Sequence, residues 1–240
     1  MSFVPRVTHF GSYGKTKLKS GEKGMLKIRL CEKNHRLNIL CLGAHPDDIE
    51  IGCGGTILRL LQEVPETHFR WVVFSGDEVR STEALESTRV FLEKAKTKKT
   101  DIQHFRESYF PFCGALIKDY FERLKNEFFP DIVFTHYNGD CHQDHRLISD
   151  LTWNTFRDHF ILEYEVPKYD GDLRTPNLYV HLNELIVRKK VKHICDIFRT
   201  QKEKQWFTEE TFKSILRIRG LESNSPTKYA EAFYCRKIVF

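Results

Sequence analysis

The stretch AHPDDIEIGCGG (44–55) follows directly on the apolar run LNILCLG (37–43), so a buried-looking strand ends in a histidine, a proline and two adjacent aspartates. Neighbouring carboxylates repel each other unless a positive charge holds them. A second apolar run, DIVFTH (131–136), leads into HYNGDCHQDHR, which gathers His136, Asp140, His142, Asp144 and His145 in one short segment. Histidine and carboxylate converging from two strand ends are the ingredients of a mononuclear metal site. Pro46 cannot donate a ladder hydrogen bond, so it ends the strand and sets the turn. His45 and Asp48, three apart in a curled loop, can face one cation while Asp47 points elsewhere. His142 and His145, three apart at a helix start, share a face. Two histidines and one carboxylate leave coordination positions open, the arrangement of a catalytic rather than a structural site. A divalent cation then compensates Asp48 and leaves Asp47 as a base beside it. Gly52, Gly54 and Gly55 are read as letting the backbone approach a ligand and opening the next helix with free N–H groups. Taken alone, Asp-Asp before a helix is more often a simple N-cap, and HxxH arises easily by chance. The conjunction of the two segments carries the reading.

Such a site needs elements that bring the two strand ends together. From Leu37 onward short apolar runs alternate with amphipathic stretches. The runs at 37–43, 68–76 and 131–136 read as strands, with a weaker one at 101–106. Residues 54–64, 81–96 (capped by Ser81 or Thr82), 115–129 and about 144–160 read as helices. Then come a loop, EYEVPKYDGDLRTPN (163–177), a strand LYVHL (178–182), helices at about 183–200 and 209–219, and a closing strand at 232–240. Strands alternating with helices imply parallel pairing through crossovers. The expected fold is therefore α/β, a three-layer, Rossmann-like, mostly parallel sheet with helices on both faces, in which ligands sit beyond the carboxyl ends of the strands. The two segments above are at those ends.

Composition narrows the function classes. The chain has 240 residues, 40% hydrophobic and 30% charged, long enough for one sizeable core. No apolar run approaches the roughly 20 residues of a spanning helix, and the start of the chain lacks the apolar segment of a secretory signal. A cytoplasmic protein without a transmembrane segment is expected. The seven cysteines are scattered without a CxxC pair, which gives no sign of a disulfide framework or thiolate zinc site. The net charge of +5 invites a nucleic-acid partner, but residues 1–36 alone contribute +7, with nine Lys or Arg against Glu22 and Glu32. The body is slightly acidic, and no nucleic-acid partner is expected. The domain reading is a basic N-terminal extension, 1–36, before a single domain, 37–240; a homo-oligomer stays open.

AHPDDIE followed by HQDH resembles the signature of the LmbE-like, PIG-L-type superfamily of zinc N-deacetylases, and VRSTEALESTRVFL (79–92) is similar to the helix after that family's second strand. The resemblance runs from about Leu37 to the C-terminus. It implies that His45, Asp48 and His145 bind zinc and that Asp47 is the general base. It further implies that His142 stabilises an oxyanion or acts as an acid, oriented by Asp144. Gln143 stands where members often have proline, at a position that is not a ligand. Arg80 is placed to meet a substrate hydroxyl or phosphate, and Asp140, at a position that varies in the family, to set substrate preference. The implied activity is metal-dependent hydrolysis of the N-acetyl group of an amino sugar or sugar conjugate, a polysaccharide or glycolipid precursor. The loop at 163–177 and the segment 219–233 have the aromatic and polar mix that suits a sugar. Two His and one Asp also suit Fe2+. Two other readings stay open: a metal-dependent phosphoesterase, and a metal-stabilised sugar-binding or interaction module without catalysis.

Overall fold

The computed structural model describes residues 36–239. Except for Arg36, the basic extension read at 1–36 lies outside the described residues. Seven strands, β1 (Leu37–Gly43), β2 (Thr67–Val73), β3 (Thr97–Ile102), β4 (Ile132–His136), β5 (Phe160–Tyr164), β6 (Leu178–Leu182) and β7 (Tyr229–Tyr234), make one sheet in the order β3-β2-β1-β4-β5-β7-β6. The pairs β1–β2, β2–β3, β1–β4 and β4–β5 are parallel, and β7 is antiparallel to both its neighbours. Six helices accompany them: α1 (Asp48–Glu63), α2 (Glu78–Phe91), α3 (Gly114–Glu127), α4 (Gln143–Thr155), α5 (Glu184–Ile197) and α6 (Glu209–Glu222).

The unbroken apolar character of β1 follows from burial on both faces. Leu37, Ile39 and Cys41 join a core with residues of α1, α2, α5 and α6, while Leu40 and Leu42 join a second core with residues of α3 and α4. The sheet is the middle layer of three. β1 lies between β2 and β4, so the chain leaves its end toward one side and later returns on the other. The crevice above β1 and β4 is the switch point where such folds bind ligands.

Several elements differ from the sequence reading, each for a local reason. Helix α1 begins at Asp48, so Gly52, Gly54 and Gly55 lie inside it rather than in a turn before it. Their role is close packing: a Cβ would come within 2.1 Å of the Tyr164 ring at Gly52, 2.7 Å of Phe91 at Gly54 and 2.5 Å of Leu182 at Gly55. Asp77, not Ser81 or Thr82, caps α2, accepting the Arg80 N–H at 2.8 Å. The third strand sits earlier, at the lysine-rich 97–102, and its sequence hides it because its residues are exposed or only half-buried. Helix α4 stops at Thr155, and β5 follows where the sequence shows neither glycine nor proline to mark a break.

Helix α1 is held from outside at its middle. Glu231 on β7 accepts the backbone N–H groups of Gly55 and Thr56 at 2.7 and 2.6 Å. Lys190 on α5 donates to the Ile51 carbonyl at 2.5 Å and to Glu231 at 2.6 Å. The buried ion pair thus contacts both the Gly55 N–H and the Ile51 C=O, two groups that an α-helix sets facing each other. Glu231→Gln leaves the Lys190 charge without its partner, and the expected cost is about 3–5 kcal/mol of unfolding free energy in urea titrations. Adding Lys190→Met to Glu231→Gln recovers part of that loss.

Candidate metal centre

The turn from β1 into α1 is strained. Asp47 has a φ of 97°, the left-handed region that a non-glycine residue rarely adopts, and its side chain makes no capping hydrogen bond. The simple N-cap reading therefore does not hold. Such strain persists only where the surroundings enforce it, and here Arg80 does so. Its guanidinium donates to the Pro46 carbonyl at 2.9 Å, pairs with Glu107 at 2.8 Å and stands 3.6 Å from Asp47 Oδ1. The sequence assigns Arg80 to substrate; in the structure its charge is engaged by this turn.

The turn aims His45 and Asp48 at the crevice, where the first turn of α4 brings His145. His45 Nδ1 lies 3.2 Å from His145 Nε2 and 3.4 Å from Asp48 Oδ2, and His145 Nε2 lies 3.5 Å from Asp48 Oδ1. Donors arranged tetrahedrally at zinc distances stand about 3.3 Å apart, so the spacing fits one small cation. The partners of the opposite nitrogens assign the tautomers. His45 Nε2 faces Asp144 Oδ2 at 3.1 Å, and His145 Nδ1 faces Asp140 Oδ2 at 2.9 Å. Each imidazole thus donates to a carboxylate behind it and turns its lone pair on the other and on Asp48, an arrangement that is repulsive until a positive charge joins it.

The titration behaviour carries the same message. Burial opposes a charge on His45, yet Asp48 and Asp144 push its pKa up to about 10. Burial, with His136 alongside, lowers His145 to about 3. Burial works against the charge of Asp48 as well, but His145, His136 and His45 hold it well below the usual carboxylate range. Burial raises Asp47 to about 7 against the pull of Arg80. The cluster takes a single positive charge at its centre, and beside it burial makes Asp47 a stronger base than an ordinary carboxylate.

The structure moves two sequence assignments. Asp144 does not orient His142; it backs His45 and is itself fixed by the N–H groups of Ser108 and Phe110 at 2.6 and 3.1 Å. The cause is the helix cap: His142 is the N-cap of α4, and its Nδ1 accepts the Asp144 N–H at 3.2 Å. That contact leaves the His142 proton on Nε2, and burial together with His45 lowers its pKa, so it offers a neutral N–H. Its ring centroid is 4.9 Å from that of His45 and 4.6 Å from that of His145. Asp140 is not free for substrate. Its Oδ1 accepts the backbone N–H of His142 at 2.7 Å and its Oδ2 serves His145 and Lys168.

Residues the motifs do not assign complete the centre. The His136 ring stacks on His145 at 3.9 Å. Among the described residues two further three-donor groups overlap the centre, His45–His142–His145 and Asp48–His136–His145; in the latter His136 Nε2 already accepts the Ala44 N–H at 2.9 Å, so it supports the site rather than donating to an ion. Tyr164 on β5 contacts that same nitrogen at 3.3 Å. Lys168 and Asp172, inside the loop read as a sugar-facing segment, instead meet the 140–141 turn. In the other such segment, Arg219 pairs internally with Glu165 and Glu222. Of these residues only His136 has a sequence signal, as the last residue of a strand beside the motif.

A family model described as PIG-L: GlcNAc-PI de-N-acetylase matches residues 40–156, the span that holds the three donors, Asp47 and the carboxylates behind them. Over those residues the chain matches the PIG-L family. Beside that match, the uncharacterized deacetylase YaiS of Escherichia coli K12 is 29% identical over 147 residues, 58% of this chain and 78% of that protein. Two solved structures are similar in fold. The conserved protein TT1542 from Thermus thermophilus superposes with a TM-score of 0.65 at 20% identity, over 85% of this chain and 96% of that one. The N,N'-diacetylchitobiose deacetylase from Pyrococcus horikoshii gives a TM-score of 0.59 at 23% identity, over 82% and 83%.

Placing Asp144 behind His45 makes a distinct expectation. Asp144→Asn should weaken zinc binding about 10- to 100-fold, read by competition with a chromophoric chelator. An effect confined to turnover, with zinc affinity unchanged, would return Asp144 to His142.

Proposed function

We propose that the chain is a metal-dependent N-deacetylase, with His45, Asp48 and His145 as the ligands of one divalent ion and an N-acetylated amino sugar as substrate. One observation carries the reading: three donors spaced for a single cation, next to a buried aspartate, Asp47, that makes no capping hydrogen bond. When bound, a zinc ion supplies Lewis acidity, which polarises an acyl oxygen and makes water a nucleophile near neutral pH. Asp47 takes a proton from the attacking water and passes it to the leaving nitrogen as the carbon–nitrogen bond breaks, so acetate and a free amine result. His142 donates its Nε2–H to the oxygen that gains charge at the acyl carbon. Arg80 keeps Asp47 in its strained position.

The substrate class rests on the family model, described as a de-N-acetylase of GlcNAc-PI, and on the Pyrococcus horikoshii relative, whose name gives an N-acetylated disaccharide. A surface-glycan or glycolipid precursor, handled in the cytoplasm, is the form of substrate we favour. Fe2+ fits the same donors as zinc, and elemental analysis of the purified chain distinguishes them. The phosphoesterase reading has less support, since the group Asp48–His136–His145 shares Asp48 and His145 with the ligand set proposed here and depends on a His136 nitrogen already engaged. A binding module without catalysis would have little use for an aspartate held in a strained turn.

The experiment is acetate release from a panel of N-acetylated sugars, nucleotide sugars and chito-oligosaccharides with zinc present. Asp47→Ala should abolish release while the metal stays bound, and His145→Ala should lose both. His142→Ala should lower kcat by about 100-fold or more. Full activity in Asp47→Ala ends its assignment as the base.

A further inference from the structure

The two carboxylates behind the histidine ligands are held in different ways. Asp144, behind His45, rests on two backbone N–H groups. Asp140, behind His145, rests on a full charge. Lys168 Nζ lies 2.9 Å from Asp140 Oδ2, the same oxygen that accepts from His145 Nδ1. The ammonium also donates to Asp172 Oδ2 at 2.6 Å, and that oxygen accepts the Cys141 N–H at 2.7 Å. All three groups are nearly enclosed, with side-chain exposures of 10% for Lys168, 3% for Asp140 and 4% for Asp172. Lys168 therefore joins the segment after β5 to the turn from which His142 and His145 project.

The charge arithmetic gives this contact weight. Asp140 and Asp172 both lie within hydrogen-bond reach of one ammonium, so without it two buried carboxylates face each other with no charge between them. Burial opposes the ammonium's charge, but Asp140 and Asp172 raise its pKa and keep it protonated. Asp140 in turn fixes the tautomer of His145, which decides whether Nε2 presents a lone pair to the ion.

The geometry points to Lys168 as a positioning residue of the metal centre: by neutralising Asp140 and Asp172 together, it holds the carboxylate that orients His145 as a ligand. The inference rests on the metal site proposed above and is independent of the substrate.

The test compares the full chain with Lys168→Met, Lys168→Arg and Asp172→Asn, at a temperature where circular dichroism shows each folded. Two quantities are read: zinc affinity by chelator competition, and the visible absorption bands of the Co(II)-loaded protein. Lys168→Met should weaken zinc binding about tenfold or more and shift the Co(II) bands, and Lys168→Arg should restore both toward the wild-type values. Asp172→Asn should show the same changes in smaller size, and decides the matter if Lys168→Met does not fold. A lowered melting temperature with zinc affinity and Co(II) bands unchanged overturns the proposal. A wild-type chain that binds neither ion removes the metal site and this inference with it. A chain that binds zinc yet releases no acetate leaves the inference standing and removes only the deacetylase.

Discussion

The structure turns on one unfavourable meeting: two imidazole lone pairs and a carboxylate brought within 3.5 Å of one another inside the protein. Left to themselves these groups would separate or take up a proton: burial opposes a charge on His45 but Asp48 and Asp144 raise its pKa, while burial and His136 lower that of His145. Everything around the centre keeps them from separating. The parallel pairing of β1 with β4 sets the two strand ends side by side. Carboxylates behind both histidines stop the rings from turning away. The backbone at Asp47 is forced into a conformation it would not choose.

That enforcement has a clear division of labour. The β1–α1 turn is clamped by Arg80 from α2 and the loop after β3. The same loop grips Asp144 through Ser108 and Phe110, and Gln143 reaches back to the Ser108 carbonyl. The β4–α4 turn is braced by the segment after β5. Helices and sheet place the donors to within a few ångströms, and loop contacts supply the remainder. This is the usual partition in α/β proteins, where function sits on loops held by a rigid layer.

Much of this was legible in the sequence. The grouping of His45, Asp47, Asp48 and His145 and the layered fold follow from two motifs at the ends of two apolar runs, because strand ends, prolines and clustered histidines and aspartates leave strong local signals. The glycines of α1 were misread because their purpose, room for Tyr164, Phe91 and Leu182, lies in partners far along the chain. Asp144 was assigned to its sequence neighbour His142, whereas its side chain crosses to His45, 99 residues away. Lys168 gave no signal at all, since a lysine in a polar loop reads as solvated until burial reveals its partners. Local pattern names the chemistry; long-range contacts decide which residue supports which.

The ion pair inserted into α1 has a consequence for how the molecule comes into being. The helix that carries Asp48 takes two of its backbone partners from Glu231, 176 and 175 positions downstream. During synthesis the motif emerges early, but the carboxylate that anchors the middle of its helix belongs to β7 and emerges much later. The segment that places His45, Asp47 and Asp48 therefore gains this anchor only with the arrival of β7.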